Sequence, residues 1–226
     1  MKALTIAIDG PSGAGKGTVA RAVAKHLGYR HVDSGAMYRA VGWKALHEGV
    51  PLDDEASVTR IAADAQLSVS DEAVTIDGAD VTRAIRTPEI DRAATAVARL
   101  PKVRAALVAR QRAFGEDGGI VMEGRDIGTV VFPHADVKVY LDASPDERAR
   151  RRAQDPAHSG GPVAVADVAT ALTARDELDR TRPVSPLYAA DDAVVVDTTG
   201  KTVEDDVTVV LRLVEERHAG WAGQAG

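Results

Sequence analysis

The stretch IAIDGPSGAGKGTVARAVAKHLGY, beginning at residue 6, sets out an apolar run, four glycines between Gly10 and Gly17, one lysine and a helical pattern, in that order. No other feature of the chain narrows its fold so far. Residues 3–8 (ALTIAI) read as a short buried strand stopped by Asp9-Gly10. From Thr18 to Leu27, Val19, Val23 and Leu27 recur at four-residue spacing, and Gly28 ends the helix. Backbone N–H groups wrap a phosphate only where side chains do not block the approach, which calls for glycine at the turn. The helix beginning near Gly15–Lys16 points its positive end at the same anion, and Lys16 adds a full charge. Gly10-Pro11-Ser12-Gly13-Ala14-Gly15-Lys16 fits the spacing G-x-x-x-x-G-K in the required strand–loop–helix setting. Two other readings compete. One is a plain glycine turn. The other is a dinucleotide loop with Asp33 as its ribose-binding acid, but Gly13-x-Gly15 is followed by Lys16, Gly17 and Thr18, so G-x-G-x-x-G fails. Gly10 to Thr18 are therefore assigned to a nucleoside triphosphate. Gly17 stands where a Ser or Thr usually follows the lysine, so Thr18, one place later, becomes the Mg²⁺ candidate, directly or through water.

Further apolar runs at 119–126, 135–144 and 192–200 read as strands, as does the start of YRHVDSGAMYRAVGWKALHEG, followed there by a turn at Asp33-Ser34-Gly35 and a helix. Helical patterns fall between or after them, the last from Val203 to Arg217, with a frayed tail from 219 onward. Such alternation implies an α/β fold with a parallel sheet covered on both faces. One segment departs from it: residues 65–86 alternate apolar and polar residues around the turn dipeptide Asp77-Gly78, which reads as a small antiparallel β insertion. The 226-residue length allows one sizeable domain with small additions. A net charge of −6 argues against a nucleic-acid coat or a membrane-surface protein, and the lack of cysteine excludes thiol chemistry. No apolar run is long enough for a signal peptide or a membrane span, so the expectation is a soluble cytoplasmic protein.

The remaining candidates are mostly arginines at element ends, which suits a site that gathers two phosphate compounds. Arg39 lies one turn into the second helix and is equally readable as a surface residue. In EGRDIG (123–128), Arg125 and Asp126 follow a strand at the end where open α/β sheets bind ligands; the alternative is a helix cap by Asp126. SPDERARRRAQDP (144–156) opens with Ser144 as cap, Pro145, and Glu147 completing a capping box. Arg148, Arg151 and Arg152 then share a helix face and lead into a flexible AHSGGP loop, as a closing lid would; a solvated charged face is the alternative. Arg175, Asp179 and Arg182 share another face, with a surface ion-pair ladder as the competing reading.

Together IDGPSGAGKGT, DSGAMYR, RTPEI, LPKVRAALVARQRAF, GRDIGTVVFP, VKVYLDAS, ERARRR and RDELDRTRPVSPL resemble the bacterial cytidylate kinases, of the nucleoside-monophosphate kinase group of P-loop proteins, in that family's order and over nearly the whole chain. The resemblance implies a single P-loop kinase domain with a five-stranded parallel sheet flanked by helices, the antiparallel insertion and a short lid. Its core would be 1–32, 91–145 and 163–226, its monophosphate-binding insertion about 33–90 and its lid about 146–162. It implies transfer of the γ-phosphoryl group of ATP to CMP, and to dCMP, with Mg²⁺, in a monomer that binds neither nucleic acid nor membrane. Ser34, Tyr38 and Arg39 would line the monophosphate site, and Thr95, Arg104 and Asp126 would face cytosine. Arg125 and Arg182 would hold phosphate, and Arg175 with Asp179 the ribose side. Lys16, Arg125, Arg148, Arg152 and Arg182 would be the catalytic set, with Arg148, Arg151 and Arg152 on the lid. Another small-molecule kinase on the same scaffold, or a P-loop protein that binds ATP without transferring phosphate, are the rival readings.

Overall fold

The computed structural model describes residues 3–155 and 165–222. In chain order the first elements are β1 (Thr5–Asp9), α1 (Lys16–Leu27), β2 (Arg30–Asp33) and α2 (Ser34–His47). Next come α3 (Glu55–Asp64), β3 (Leu67–Val69), β4 (Val74–Ile76), β5 (Ala79–Asp80), α4 (Pro88–Val97) and α5 (Pro101–Ala113). After β6 (Ile120–Gly124) a turn of π-helix spans Ile127–Val131, followed by β7 (Val137–Asp142) and α6 (Pro145–Gln154). Helix α7 (Val165–Thr181), β8 (Val194–Asp197) and α8 (Val203–Ala222) complete the fold.

Five strands form one parallel sheet in the order β2-β6-β1-β7-β8. Along β1, Ile6 and Ile8 face a core shared with Val19 and Val23 of α1 and Val210 and Val214 of α8. Ala7 faces the opposite side, with Val32, Met122 and Val108 of α5. Each buried Ile contributes about 1.5–3 kcal/mol, so the apolar sequence of β1 places it at the sheet centre. In register, Asp9 lies opposite Gly124 and Tyr140. The C-terminal ends of β1, β6 and β7 thus meet at one rim. The chain passes from β1 to β2 on one side and from β6 to β7 across to the other, so this rim is a switch point where open sheets bind ligands.

The insertion is built as expected. Strands β3, β4 and β5 form a separate antiparallel sheet, and Asp77 (φ 49°) and Gly78 (φ 80°) make its left-handed turn. Buried residues of this sheet, α2, α3, α4 and α5 share one cluster, with Met37, Val41, Val58, Ile76 and Leu107 at its centre.

Several local expectations differ. Helix α1 begins at Lys16, where the loop reading put its start and two residues before the apolar spacing sets in at Thr18, because Gly15 (φ 90°) turns the chain directly into it. No separate turn divides β2 from α2: Asp33 ends the strand and caps the helix, accepting from the Ala36 N–H. The capping box on α6 is half formed. Ser144 accepts from the Glu147 N–H, but Glu147 pairs with Arg150 and Arg151, and the Ser144 N–H goes to Thr199. Helix α8 continues through Ala222 where fraying was expected from 219. The AHSGGP loop lies outside the described residues.

Candidate active site

The rim of the sheet opens into a cavity of about 930 Å³ lined by the glycine loop, α2, α4, α5, the end of β6, α6 and α7. Its floor is the loop. Gly10 (φ 145°) lies so close to β7 that a Cβ there would sit 2.0 Å from the Leu141 carbonyl oxygen, which only glycine permits. Ser12, Gly13, Gly15, Lys16, Gly17 and Thr18 line the cavity, whereas Gly10, Pro11 and Ala14 support the loop from beneath. Lys16 is buried, and its Nζ donates to the Pro11 carbonyl at 2.7 Å. Burial, and then the Arg125 charge, pull its pKa down to about 7. Asp9 accepts from the N–H groups of Ile127 and Gly128 at 2.8 and 2.7 Å, pinning the π-helical turn. Burial raises its pKa to about 6 against those two bonds.

At the opposite end Asp126 is buried between two arginines. Arg104 Nη2 donates to Oδ2, and Arg182 Nη2 lies 3.3 Å from Oδ1. Asp126 precedes the π-helical turn but makes no side-chain cap, so its carboxylate serves the arginines. The Arg104 guanidinium lies 5.4 Å from the Tyr38 ring centre. Burial pushes the Tyr38 pKa up to about 12. Thr95, on the same wall, donates its hydroxyl to the Asp91 carbonyl.

Between the ends stand the phosphate candidates. Arg39 Nη2 donates to Asp33 at 2.6 Å, and although burial opposes it, this charge holds the Asp33 pKa at about 2. Arg125 Nε donates to Asp179 at 3.0 Å. Ser34 donates to the Glu123 carbonyl. Arg152 and Arg175 come together on Asp91. Burial pulls the pKa values of Arg152, Arg175 and Arg182 down against the carboxylates that face them. Among the described residues, ten arginines and two lysines line the cavity against eight carboxylates, in a chain whose net charge is −6. Arg39 Nε, Arg104 Nε and Arg175 Nε are buried with no hydrogen-bond acceptor among the described residues. Donors left in that state call for an anionic or acceptor-rich ligand.

The candidates named from sequence line this cavity, apart from Gly10, Pro11 and Ala14 beneath the loop and one arginine. Arg148 does not line it. Its Nε donates to the Ala143 carbonyl, and its Nη1 donates to the Ser12 carbonyl at 3.1 Å and pairs with the buried Asp176. These contacts brace α6 against the loop. Arg151 is tied to Glu147 and to Thr198, whose hydroxyl reaches the Ala14 carbonyl. Sequence reasoning missed the carboxylate partners Asp9, Asp33 and Asp91 and the lining residues Arg86, Lys201 and Asp206. Asp33 had a readable signal, since it stands directly before a helix. Asp91 had none, because its partner Arg152 is 61 residues away.

Solved structures share this architecture at low identity. A gluconokinase from Sinorhizobium meliloti 1021 is similar with a TM-score of 0.52 at 16% identity, covering 100% of this chain and 99% of that one. That likeness speaks to the fold alone. Sequence relatives say more: a cytidylate kinase of Solibacter usitatus (strain Ellin6076) is 45% identical over 218 residues, spanning 96% of this chain and 94% of the relative. A cytidylate kinase of Desulfitobacterium hafniense (strain Y51) is 46% identical over 219 residues, with shares of 96% and 94%. The family described as cytidylate kinase matches residues 6–216, from the first strand to the last helix and across every wall of the cavity. With the match unbroken over that span, the chain belongs to the cytidylate kinase family.

Proposed function

We propose that the chain transfers the γ-phosphoryl group of ATP to CMP, and to dCMP, yielding ADP and CDP or dCDP. The observation that carries this reading is the layout of one cavity, with a triphosphate loop at one end, a carboxylate held by two arginines at the other, and arginines between. Phosphoryl transfer passes through a loose transition state, so catalysis is mainly alignment and charge neutralisation. Loop amides and Lys16 hold the triphosphate, and Lys16 follows the transferring group. Arg39, Arg125, Arg152 and Arg182 hold the phosphates of donor and acceptor, bidentate where the fork allows. Arg175 and Asp179 face the ribose. Asp126, fixed by Arg104 and beside Thr95, accepts from the exocyclic amine of cytosine; uracil would present a carbonyl oxygen there and be repelled.

Mg²⁺ fits the same reading. Among the described residues no group of three or more His, Asp or Glu could hold a metal on its own. Thr18, an exposed hydroxyl, and Glu123 both line the cavity, and a Cβ on Gly17 would lie 2.8 Å from Glu123 Oε1. A glycine at 17 thus leaves that carboxylate its place. Such a sparse donor set suits an ion that arrives with the triphosphate and keeps most of its waters. Held beside Thr18 and Glu123, it would supply positive charge to the triphosphate.

A monomer acting in the cytoplasm belongs to the same proposal; no helix among the described residues is long and apolar enough to cross a membrane. The test is an acceptor panel with ATP and Mg²⁺, read as formation of ADP and of each nucleoside diphosphate. CMP, then dCMP, are expected to be the best acceptors; no CDP from CMP would overturn the reading.

A further inference from the structure

Asp91 lies on α4, and its carboxylate joins two arginines that come from different helices. Arg152 of α6 donates to Oδ2, and Arg175 Nη1 of α7 lies 3.2 Å from Oδ1. The two arginines line the cavity, but Asp91 does not: it stands behind them. All three are largely withdrawn from water, with side-chain exposures of 14% for Asp91 and 19% for each arginine. Two guanidinium groups brought together in such surroundings repel each other, and Arg39 faces both. Asp33 is engaged by Arg39, and Asp179 by Arg125 and Arg182. One oxygen of Asp91 for each fork offsets the repulsion and sets the angle between them.

Helix α4 is a firm base for this role. Thr87 caps it, Pro88 fixes its first turn, and Thr95 one turn further on donates back to the Asp91 carbonyl. The same helix therefore carries a base-side hydroxyl and the brace of the arginine pair.

We propose that Asp91 is a positioning residue for phosphoryl transfer: from outside the cavity it holds two arginines in the single arrangement in which Arg152 reaches the phosphates between the two nucleotides while Arg175 reaches the acceptor's ribose. This rests on the function proposed above. It assigns Asp91 no contact with substrate. Its effect therefore belongs to the transfer step and travels through the two arginines.

The experiment is a double-mutant cycle read at saturating ATP and CMP, with a distance measurement beside it. Asp91→Ala is expected to lower kcat about tenfold or more while each KM stays within about threefold. In an Arg152→Ala background the same change is expected to cost less than about threefold, because half of its purpose is gone. Asp91→Asn, which keeps the shape and removes the charge, guards against a folding defect. Because the chain has no cysteine, spin labels at Glu89→Cys on α4 and Gln154→Cys on α6 report the gap between these helices without other substitutions. Asp91→Ala is expected to broaden that distance distribution or move it outward. An equal loss of kcat in both backgrounds, no loss at all, or an unchanged distance would overturn the role of Asp91. If the unaltered chain makes no CDP, the proposed function fails instead, and the distances alone judge the brace.

Discussion

A lysine buried beneath a triphosphate loop is an expensive residue to fold, and Lys16 shows this in its pKa of about 7. The unfolded chain, with its lysine near 10.5, binds more protons than the native one between those values. Stability on this account therefore rises with pH across that window, and the penalty is fullest below about pH 7. Lys16→Met should raise Tm near neutral pH while lowering turnover about 100- to 1,000-fold; a variant that turns over normally contradicts the role of the charge. Triphosphate binding should recharge the amine, so at about pH 8 calorimetry in buffers of different ionisation enthalpy should find close to one proton taken up per ATP. Lys16→Met should abolish the uptake. At the other end, Asp126→Asn should lower the CMP-over-UMP preference about tenfold or more, since the amide offers uracil a donor. An unchanged ratio contradicts base reading by Asp126. At this scale the sequence spoke clearly where a residue's task is local. Gly10 and Lys16 carry theirs in their neighbours, and Asp33 carries its own in its place before α2. Asp91 and Asp9 were silent because their partners arrive from distant helices and turns.

Among the elements, the order of strands and helices was legible, and so was the β insertion, because apolar period and turn chemistry are local signals. The fate of a helix face was not. Spacing put Arg148, Arg151 and Arg152 on one side of α6, but it held no information about what that side meets. Arg148 meets the loop backbone and Asp176, Arg151 meets Thr198, and of the three only Arg152 is joined to a carboxylate on α4. Arg148→Ala should therefore act mainly on stability, leaving Asp176 buried without its cation at a cost of about 3–5 kcal/mol. Urea unfolding checks this, and a loss of turnover with unchanged stability would return Arg148 to the catalytic set. Gly10→Ala probes the join of β1 and the loop. With its Cβ meeting the Leu141 carbonyl, it should destabilise by about 2–4 kcal/mol or displace the loop. Retained Tm and ATP affinity would contradict that contact.

For the molecule as a whole, the decisive property is a concentration of cations in an acidic chain. Filling the cavity with polyanionic nucleotide should stabilise it strongly. At about a hundredfold excess over Kd, ATP should raise Tm by about 5–10 °C. Added salt should diminish the rise, and a rise indifferent to salt would argue against the electrostatic account. The chain's composition concealed this site, because a net charge averages over the surface and the arginines gather only once α2, α5, α6 and α7 converge. The central claim is that two nucleotides lie in this one cavity with their phosphates end to end among those arginines. An inhibitor linking adenosine to cytidine through five phosphates tests it most directly. The account predicts that one molecule binds per chain and competes with both ATP and CMP; competition with only one of them, or with neither, would contradict it.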